Sequence, residues 1–407
     1  MNKTSFAKNV LLLSGSAGLS QVISILVSPI LARLYGPENF GVYTLFTSTV
    51  SILVVIATGR FEIALLRPKD DETVSGLTQI GILWLISFIV ISLAALGITV
   101  NLWSDMSLAH LWYLLPIGIL IIGLANLNNY LATRKERFGL IGIGSLIRSI
   151  ANNGISLFLG YIEVGIGLII GFISGHLFFN IATQIGLKTS FSNRISLIRG
   201  KSLVKEYSEF PLINGTSALA NIGSNQLPII IMAFAFNDAT IGMYGLIMRV
   251  LNAPLLFIGK AVSQVFFGQT AKEVREGKFD SKQIIQLALK LAILITIILL
   301  PLFFFGSEIF SFVFGEEWGD AGQIAGLFVP FYIVRFVYYC LSTIMIVKNE
   351  LKTELLQNIF ALMTQVIAVV LGSFVFDSSL ITFQLIAGAG FLIYCVFVYQ
   401  LIRVIHK

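Results

Sequence analysis

Charge is what this sequence has least of. Asp, Glu, Lys and Arg make up 12% of its 407 residues, about half the share of a soluble globular domain. That scarcity excludes a water-soluble fold, and a hydrophobic content of 56% with mean hydropathy +0.89 says the same. Cysteine is nearly absent: Cys340 and Cys395 stand alone in apolar runs, which excludes a disulfide framework. The three histidines, His110, His176 and His406, are far apart, and no metal-ligand spacing occurs. There is no P-loop, so ATP hydrolysis by this chain is not expected. The apolar run from about Val10 to Leu34 is too long for a signal-peptide core and no A-x-A site follows it. It reads as a first membrane helix. A net charge of +6 is spread among apolar spans rather than gathered into a patch, so nucleic acid is not an expected partner and no cofactor is called for.

What is present is a series of long apolar runs. A membrane helix needs about 20 predominantly apolar residues. Twelve such spans are expected, near 9–34, 40–66, 75–100, 110–132, 138–160, 164–187, 209–235, 241–267, 284–305, 322–347, 355–376 and 380–402. The connectors on one side, with the N-terminal tail, hold twenty Lys and Arg, among them Arg67, Lys69, Arg134, Lys135, Arg199 and Lys205. Those on the other side hold only Arg33, beside nine acids such as Glu316, Glu317 and Asp320. By the positive-inside rule both termini are expected in the cytoplasm of a bacterial cell, with the chain multi-pass in the cytoplasmic (inner) membrane.

One short stretch occurs twice. Phe40-Gly41-x-Tyr43-x-Leu45 is matched by Ile241-Gly242-x-Tyr244-x-Leu246, 201 positions on, each copy between two apolar helices. Before the first copy, Gly36-Pro37 stops a helix, since Pro has no N–H and Gly tolerates the turn dihedrals. A repeat of that length implies two like halves. Six spans per half return the chain to its starting side, so the repeats are expected to be parallel, with substrate between them near the midplane. The expected fold is therefore an all-α integral membrane protein, with 12 transmembrane helices as two parallel six-helix repeats around a central cleft. Residues 1–187 would form the first bundle, 188–208 a cytoplasmic linker and 209–407 the second bundle.

Five basic residues fall within spans: Arg60, Arg148, Arg249, Lys260 and Arg335, with Glu62 the one acid at comparable depth. Each would cost roughly 2.5–3.5 kcal/mol at a helix centre facing lipid, so an interior with water or partners is expected for them. Spacing agrees. Arg249 and Lys260 are eleven residues apart, which at about 100° per residue puts them on one face. Ser145, Arg148, Asn152 and Ser156 form one stripe, Tyr332, Arg335, Tyr339 and Ser342 another, and Asn214, Asn221 and Asn225 a third. Snorkelling to head groups is an equal reading for Arg60 and Lys260. Glu62 is two residues from Arg60, which on a helix faces elsewhere; a basic partner on another helix is expected for it, with ion coupling as the other reading. His176 with Asn180 one turn on has the spacing of a proton relay, but a hydrogen-bonded packing histidine is the preferred reading.

Three stretches carry a family resemblance. They are Ala32-Arg33-x-x-Gly36-Pro37-x-x-Phe40-Gly41-x-Tyr43, Arg137-Phe138 opening the fifth span, and Phe314-Gly315-Glu316-Glu317-Trp318 before the tenth. With the six-plus-six plan, the chain resembles the Wzx-type O-antigen and repeat-unit flippases, in the polysaccharide-biosynthesis branch of the multidrug/oligosaccharidyl-lipid/polysaccharide (MOP) exporter superfamily. The resemblance implies movement of an undecaprenyl-diphosphate-linked oligosaccharide from the inner to the outer leaflet for surface polysaccharide or lipopolysaccharide. It implies basic interior residues that engage the diphosphate or acidic sugars, and a proton or Na+ gradient as driving force. Polysaccharide polymerase and chain-length proteins are its implied partners besides membrane lipid. No motif transfers a substrate site, so the candidates remain those set by depth and spacing. Two rival readings stand beside this one: a cation-coupled multidrug exporter of the same fold, and a membrane polysaccharide polymerase or ligase. Organic cations would want acidic cavity walls, and the short outer connectors leave no room for a catalytic domain.

Overall fold

The computed structural model of the chain describes residues 3–99, 113–187, 197–276, 280–348 and 350–406. Among them there are helices and turns and no strand. A backbone in hydrocarbon must satisfy its own N–H and C=O groups, and the helix does so within one segment. The chain is accordingly an all-α membrane protein. Nine helical segments among the described residues are long and apolar enough to cross a membrane, from Gly18–Thr58 to Ser379–Ile405. In chain order the helices are α1 (Lys3–Thr58), α2 (Phe61–Ala64), α3 (Asp71–Thr99), α4 (Leu114–Arg134), α5 (Phe138–Tyr161), α6 (Gly167–Leu187) and α7 (Leu197–Glu206). They continue with α8 (Gly215–Met232), α9 (Asp238–Pro254), α10 (Lys260–Glu276), α11 (Ser281–Phe314), α12 (Gly319–Leu341), α13 (Ile344–Val347), α14 (Leu351–Val370) and α15 (Ser379–His406). The segment expected as a linker lies partly outside the described residues. Its described part carries α7, a ten-residue amphipathic helix that buries Leu203 and exposes Lys201 and Lys205.

The chain separates into two compact units. One comprises Met1–Tyr35 with Leu45–Ile222, the other Gly36–Thr44 with Gly223–Lys407. In the first unit a cluster of Phe61, Leu65, Leu77, Leu127, Leu131, Leu203 and Tyr207 joins α2, α3, α4 and α7. A polar seam fixes α1 to α5 in the same unit: Ser149 donates to the Ser20 carbonyl at 2.9 Å, and Asn153 to Ser24 Oγ at 3.2 Å. In the second unit Trp318, Phe328, Tyr332, Phe336 and Phe383 are fully buried, and Tyr244 stacks on Phe383 at 5.8 Å.

The duplicated turn has a physical consequence inside the second unit. α1 kinks at Gly36 (φ 63°, ψ 175°), a conformation that needs glycine. The stretch that follows packs on the other copy of itself. A Cβ on Gly41 would lie 1.8 Å from the Asp238 carbonyl oxygen, and one on Gly242 would lie 2.0 Å from that of Pro37. Pro37 and Asp238 are themselves 201 positions apart, as Gly41 and Gly242 are. The contact is thus reciprocal, the signature of a local two-fold. On the axis, a Cβ on Gly245 would meet the hydroxyl of Thr44, its own counterpart, at 2.2 Å. Phe40 also sets its ring edge against Trp318 at 5.5 Å, so two of the three resemblance stretches touch.

Candidate functional site

The candidate residues of the first unit fall into two groups. α1 ends at Thr58, and Gly59 (φ 53°) and Arg60 (φ 57°, ψ 17°) both take left-handed backbone before α2 begins. This break overturns the expectation that Arg60 and Glu62 face apart. Spacing of two residues separates side chains only on a continuous helix. Here Arg60 Nη1 lies 3.5 Å from Glu62 Oε1, and Arg60 Nε donates to Asn214 Oδ1 at 3.1 Å. Glu62 therefore pairs with its near neighbour rather than with a base on another helix. Its side chain is 1% exposed, and Oε2 has no hydrogen-bond partner among the described residues. Asn214 belongs to a wide π-type turn, Phe210–Asn214, just before α8. Asn221, within α8, is exposed.

The second group lies on α5 and α6. Arg148 holds its guanidinium carbon 5.8 Å from the centre of the Phe179 ring, a cation–π distance. Gly175 lets α6 close on α5 at this level, since a Cβ there would meet the Arg148 carbonyl at 2.8 Å and Asn152 Cβ at 2.9 Å. His176 is bonded through Nδ1 to the Phe172 carbonyl at 2.9 Å, one turn back on its own helix. Asn180 turns instead to α4, taking a bond from Asn128 at 2.8 Å and donating to the Ile121 carbonyl at 2.8 Å. Gln184, itself exposed, extends that amide set by donating to Asn128 Oδ1 at 2.7 Å. The network was not anticipated, although Asn180 and Gln184 at one-turn spacing were its visible sign.

In the second unit, Arg249 on α9 sits 5.9 Å from the Phe40 ring. Lys260 is exposed at the start of α10. The shared face expected for these two does not follow, because the π-type turn Leu255–Gly259 stands between them after Pro254. Pro254 has no N–H to give, the helix widens, and the count of 100° per residue fails across it. Arg335 on α12 is held most closely. The rings of Phe331, Tyr332 and Tyr394 are centred 5.7, 5.3 and 5.9 Å from its guanidinium carbon. Nη2 donates to Asn225 Oδ1 at 2.7 Å and Nη1 to the Tyr332 hydroxyl at 3.3 Å.

None of Arg148, Arg249 and Arg335 has a carboxylate partner among the described residues. All three rest on aromatic rings, which steady the cation without cancelling its charge. Such groups can receive an anion: a guanidinium presents several N–H donors that match phosphate or carboxylate oxygens in pairs. Three basic residues at or beyond helix ends differ. Arg67 pairs with Glu209, Arg199 with Glu72, and Arg134 lies 3.7 Å from Asp71. Among the described residues no three His, Cys, Asp or Glu side chains gather as a metal site; His110 lies outside those residues.

A family model described as "Polysaccharide biosynthesis protein" matches residues 30–323. No curated protein matches the sequence. Among solved structures, the inward closed form of the lipid II flippase MurJ superposes with a TM-score of 0.77 at 13% identity, covering 96% of this chain and 87% of that one. An inward-facing multidrug resistance MATE transporter of the MOP superfamily gives 0.72 at 15% identity, covering 94% of each chain. A MOP superfamily transporter from Pyrococcus furiosus, described with a binding pocket of reversed polarity, gives 0.61 at 14% identity over 98% of this chain and 96% of that one. At such identities the likeness is one of fold.

Proposed function

The chain belongs to the polysaccharide biosynthesis protein family, and from that premise we propose that it is a flippase for lipid-linked oligosaccharide. In this reading it moves undecaprenyl-diphosphate-linked repeat units from the inner to the outer leaflet of the cytoplasmic membrane by alternating access. The product feeds O-antigen, capsule or a similar surface polysaccharide, with polymerase and chain-length proteins as downstream partners. The two six-helix bundles, 1–187 and 209–407, are the proposed moving bodies, and a proton or Na+ gradient is the proposed drive.

The observation that supports the reading is the set of three guanidinium groups, Arg148 on α5, Arg249 on α9 and Arg335 on α12, each against aromatic rings and without a carboxylate partner among the described residues. A diphosphate head carries two or more negative charges, and in a low-dielectric setting its attraction to guanidinium offsets part of its desolvation. Asn152, Asn221 and Lys260 are proposed as accessory polar contacts. The Arg60–Glu62–Asn214 group is proposed for ion coupling, since Glu62 keeps one buried oxygen without a hydrogen-bond partner among the described residues. His176 is a second coupling candidate.

Arg148→Ala and Arg249→Ala, each with folded protein retained, are expected to lower the rate of surface polysaccharide appearance by roughly ten- to a hundredfold, the loss of one charge-assisted contact. Wild-type levels in both variants would end the cationic-site reading. The likeness to a MATE transporter favours one second reading, a multidrug exporter. Raised drug resistance on expression, with no defect in surface polysaccharide on deletion, would select it.

A further inference from the structure

The first unit carries a groove that the transport reading does not use. It has a volume of about 800 Å³ and runs between α3, α7 and the end of α1, within the size range of small-molecule sites. Its floor is apolar: Ile80, Leu83, Trp84, Phe88 and Ile91 of α3 line it. From Ile80 to Ile91 is eleven helical steps, about 16 Å along the axis. Trp84 is fixed in place, since Nε1 donates to the Ile56 carbonyl at 3.1 Å and its ring meets the edge of Phe61 at 5.7 Å.

The groove is charged at one end only; its other polar side chains are Ser87, which donates to the Leu83 carbonyl at 2.8 Å, and Ser208, which donates to the Lys205 carbonyl at 2.8 Å. α7 lies over the start of α3, tied there by the Arg199–Glu72 pair and by Leu203 in the apolar cluster with Val74 and Leu77. Its Lys201 and Lys205, one helical turn apart, are exposed and line the groove. Neither ammonium has an acidic partner among the described residues, because Glu72 and Glu209 are taken by arginines and Glu206 does not line the groove. This is the Lys- and Arg-rich side of the chain, hence the cytoplasmic one by the positive-inside rule. Two point charges at the membrane surface, above a strip of apolar side chains leading toward the bilayer centre, match a lipid with an anionic head in that leaflet. Lysine suits this role: it attracts net charge without demanding one bonding geometry.

We propose that the α3–α7 groove is a binding site for an anionic phospholipid of the inner leaflet, its phosphate against Lys201 and Lys205 and one acyl chain along Leu83, Trp84 and Ile91. The assignment does not depend on what the protein transports. Trp84 is the built-in reporter, and its emission is obtained as the difference between the wild-type protein and Trp84→Phe. In phosphatidylcholine vesicles, acyl-brominated phosphatidylglycerol is expected to quench Trp84 at a mole fraction about tenfold or more below that needed with brominated phosphatidylcholine. Lys201→Gln/Lys205→Gln should abolish that difference, while Lys69→Gln/Lys135→Gln, exposed lysines outside the groove, should preserve it. Native mass spectrometry of the same proteins, which does not rely on tryptophan, should show retained phosphatidylglycerol lost only from the Lys201/Lys205 variant. Equal quenching by the two brominated lipids, or an undiminished preference in the Lys201/Lys205 variant, would overturn the proposal. So would relief of quenching by a polyprenyl diphosphate at concentrations where unbrominated phosphatidylglycerol gives none, which would assign the groove to a transported lipid instead.

Discussion

Arg60 adopts a backbone conformation that costs an L-residue roughly 1–2 kcal/mol, and the side chain returns that cost by bridging Asn214 and the buried carboxyl of Glu62. Removing the two ends of the Arg60–Glu62 pair should therefore have unequal effects. Arg60→Ala strands a carboxylate that is 1% exposed and is expected to lose on the order of 2–3 kcal/mol. Glu62→Gln removes the charge but keeps the shape, and it should cost less. The double variant should be clearly more stable than the sum of the two losses, because no charge is left buried alone. Thermal unfolding of the four proteins in detergent gives the cycle, and strict additivity would show that the two side chains do not interact. The sequence displayed both residues and their depth. It could not display the break at Gly59 and Arg60, because arginine is a poor marker for left-handed backbone, and the facing of the pair depends on that break.

At the level of elements, the two copies of the turn can be tested through their glycines. Gly41→Ala and Gly242→Ala each put a methyl group where a backbone carbonyl already stands, so each is expected to cost about 1–3 kcal/mol or more by overpacking. Since both occupy one contact, the double variant should fall short of the sum once the turns have been forced apart. Gly388→Ala on α15, with open space around it, should be neutral or slightly stabilising. Detergent-solubilised melting temperatures check all four. The turn was legible in advance because glycine and an aromatic recur at a fixed offset, which no helix requires for its own sake. Spacing puts Ser145, Arg148, Asn152 and Ser156 on one stripe, but the seam to α1 is made by Ser149 and Asn153, one residue along. Helical periodicity tells which residues share a face and leaves open which face meets a neighbour. The line from Arg249 to Lys260 failed for another reason, a proline followed by a wide turn, which interrupts the periodicity itself.

For the molecule as a whole, orientation is the clearest expectation. Alkaline phosphatase folds to an active form only outside the cytoplasm, so a fusion at Lys407 should be inactive and one after Glu163 active. Activity at Lys407 would invert the assignment drawn from twenty basic residues against one. The all-α membrane fold was open to reading from composition and run length, since hydrocarbon leaves a backbone few alternatives. The locations of the individual guanidinium groups were open to reading only as depth, because aromatic contacts such as Phe40 to Arg249 come from far along the chain. The crossing of the two turns also sets which positions can vary. Gly41 meets Asp238 as Gly242 meets Pro37, so each glycine faces backbone that cannot yield to a side chain, whereas the residue before it differs between the copies, Phe40 in one and Ile241 in the other, because a side chain there can be exchanged without moving either turn.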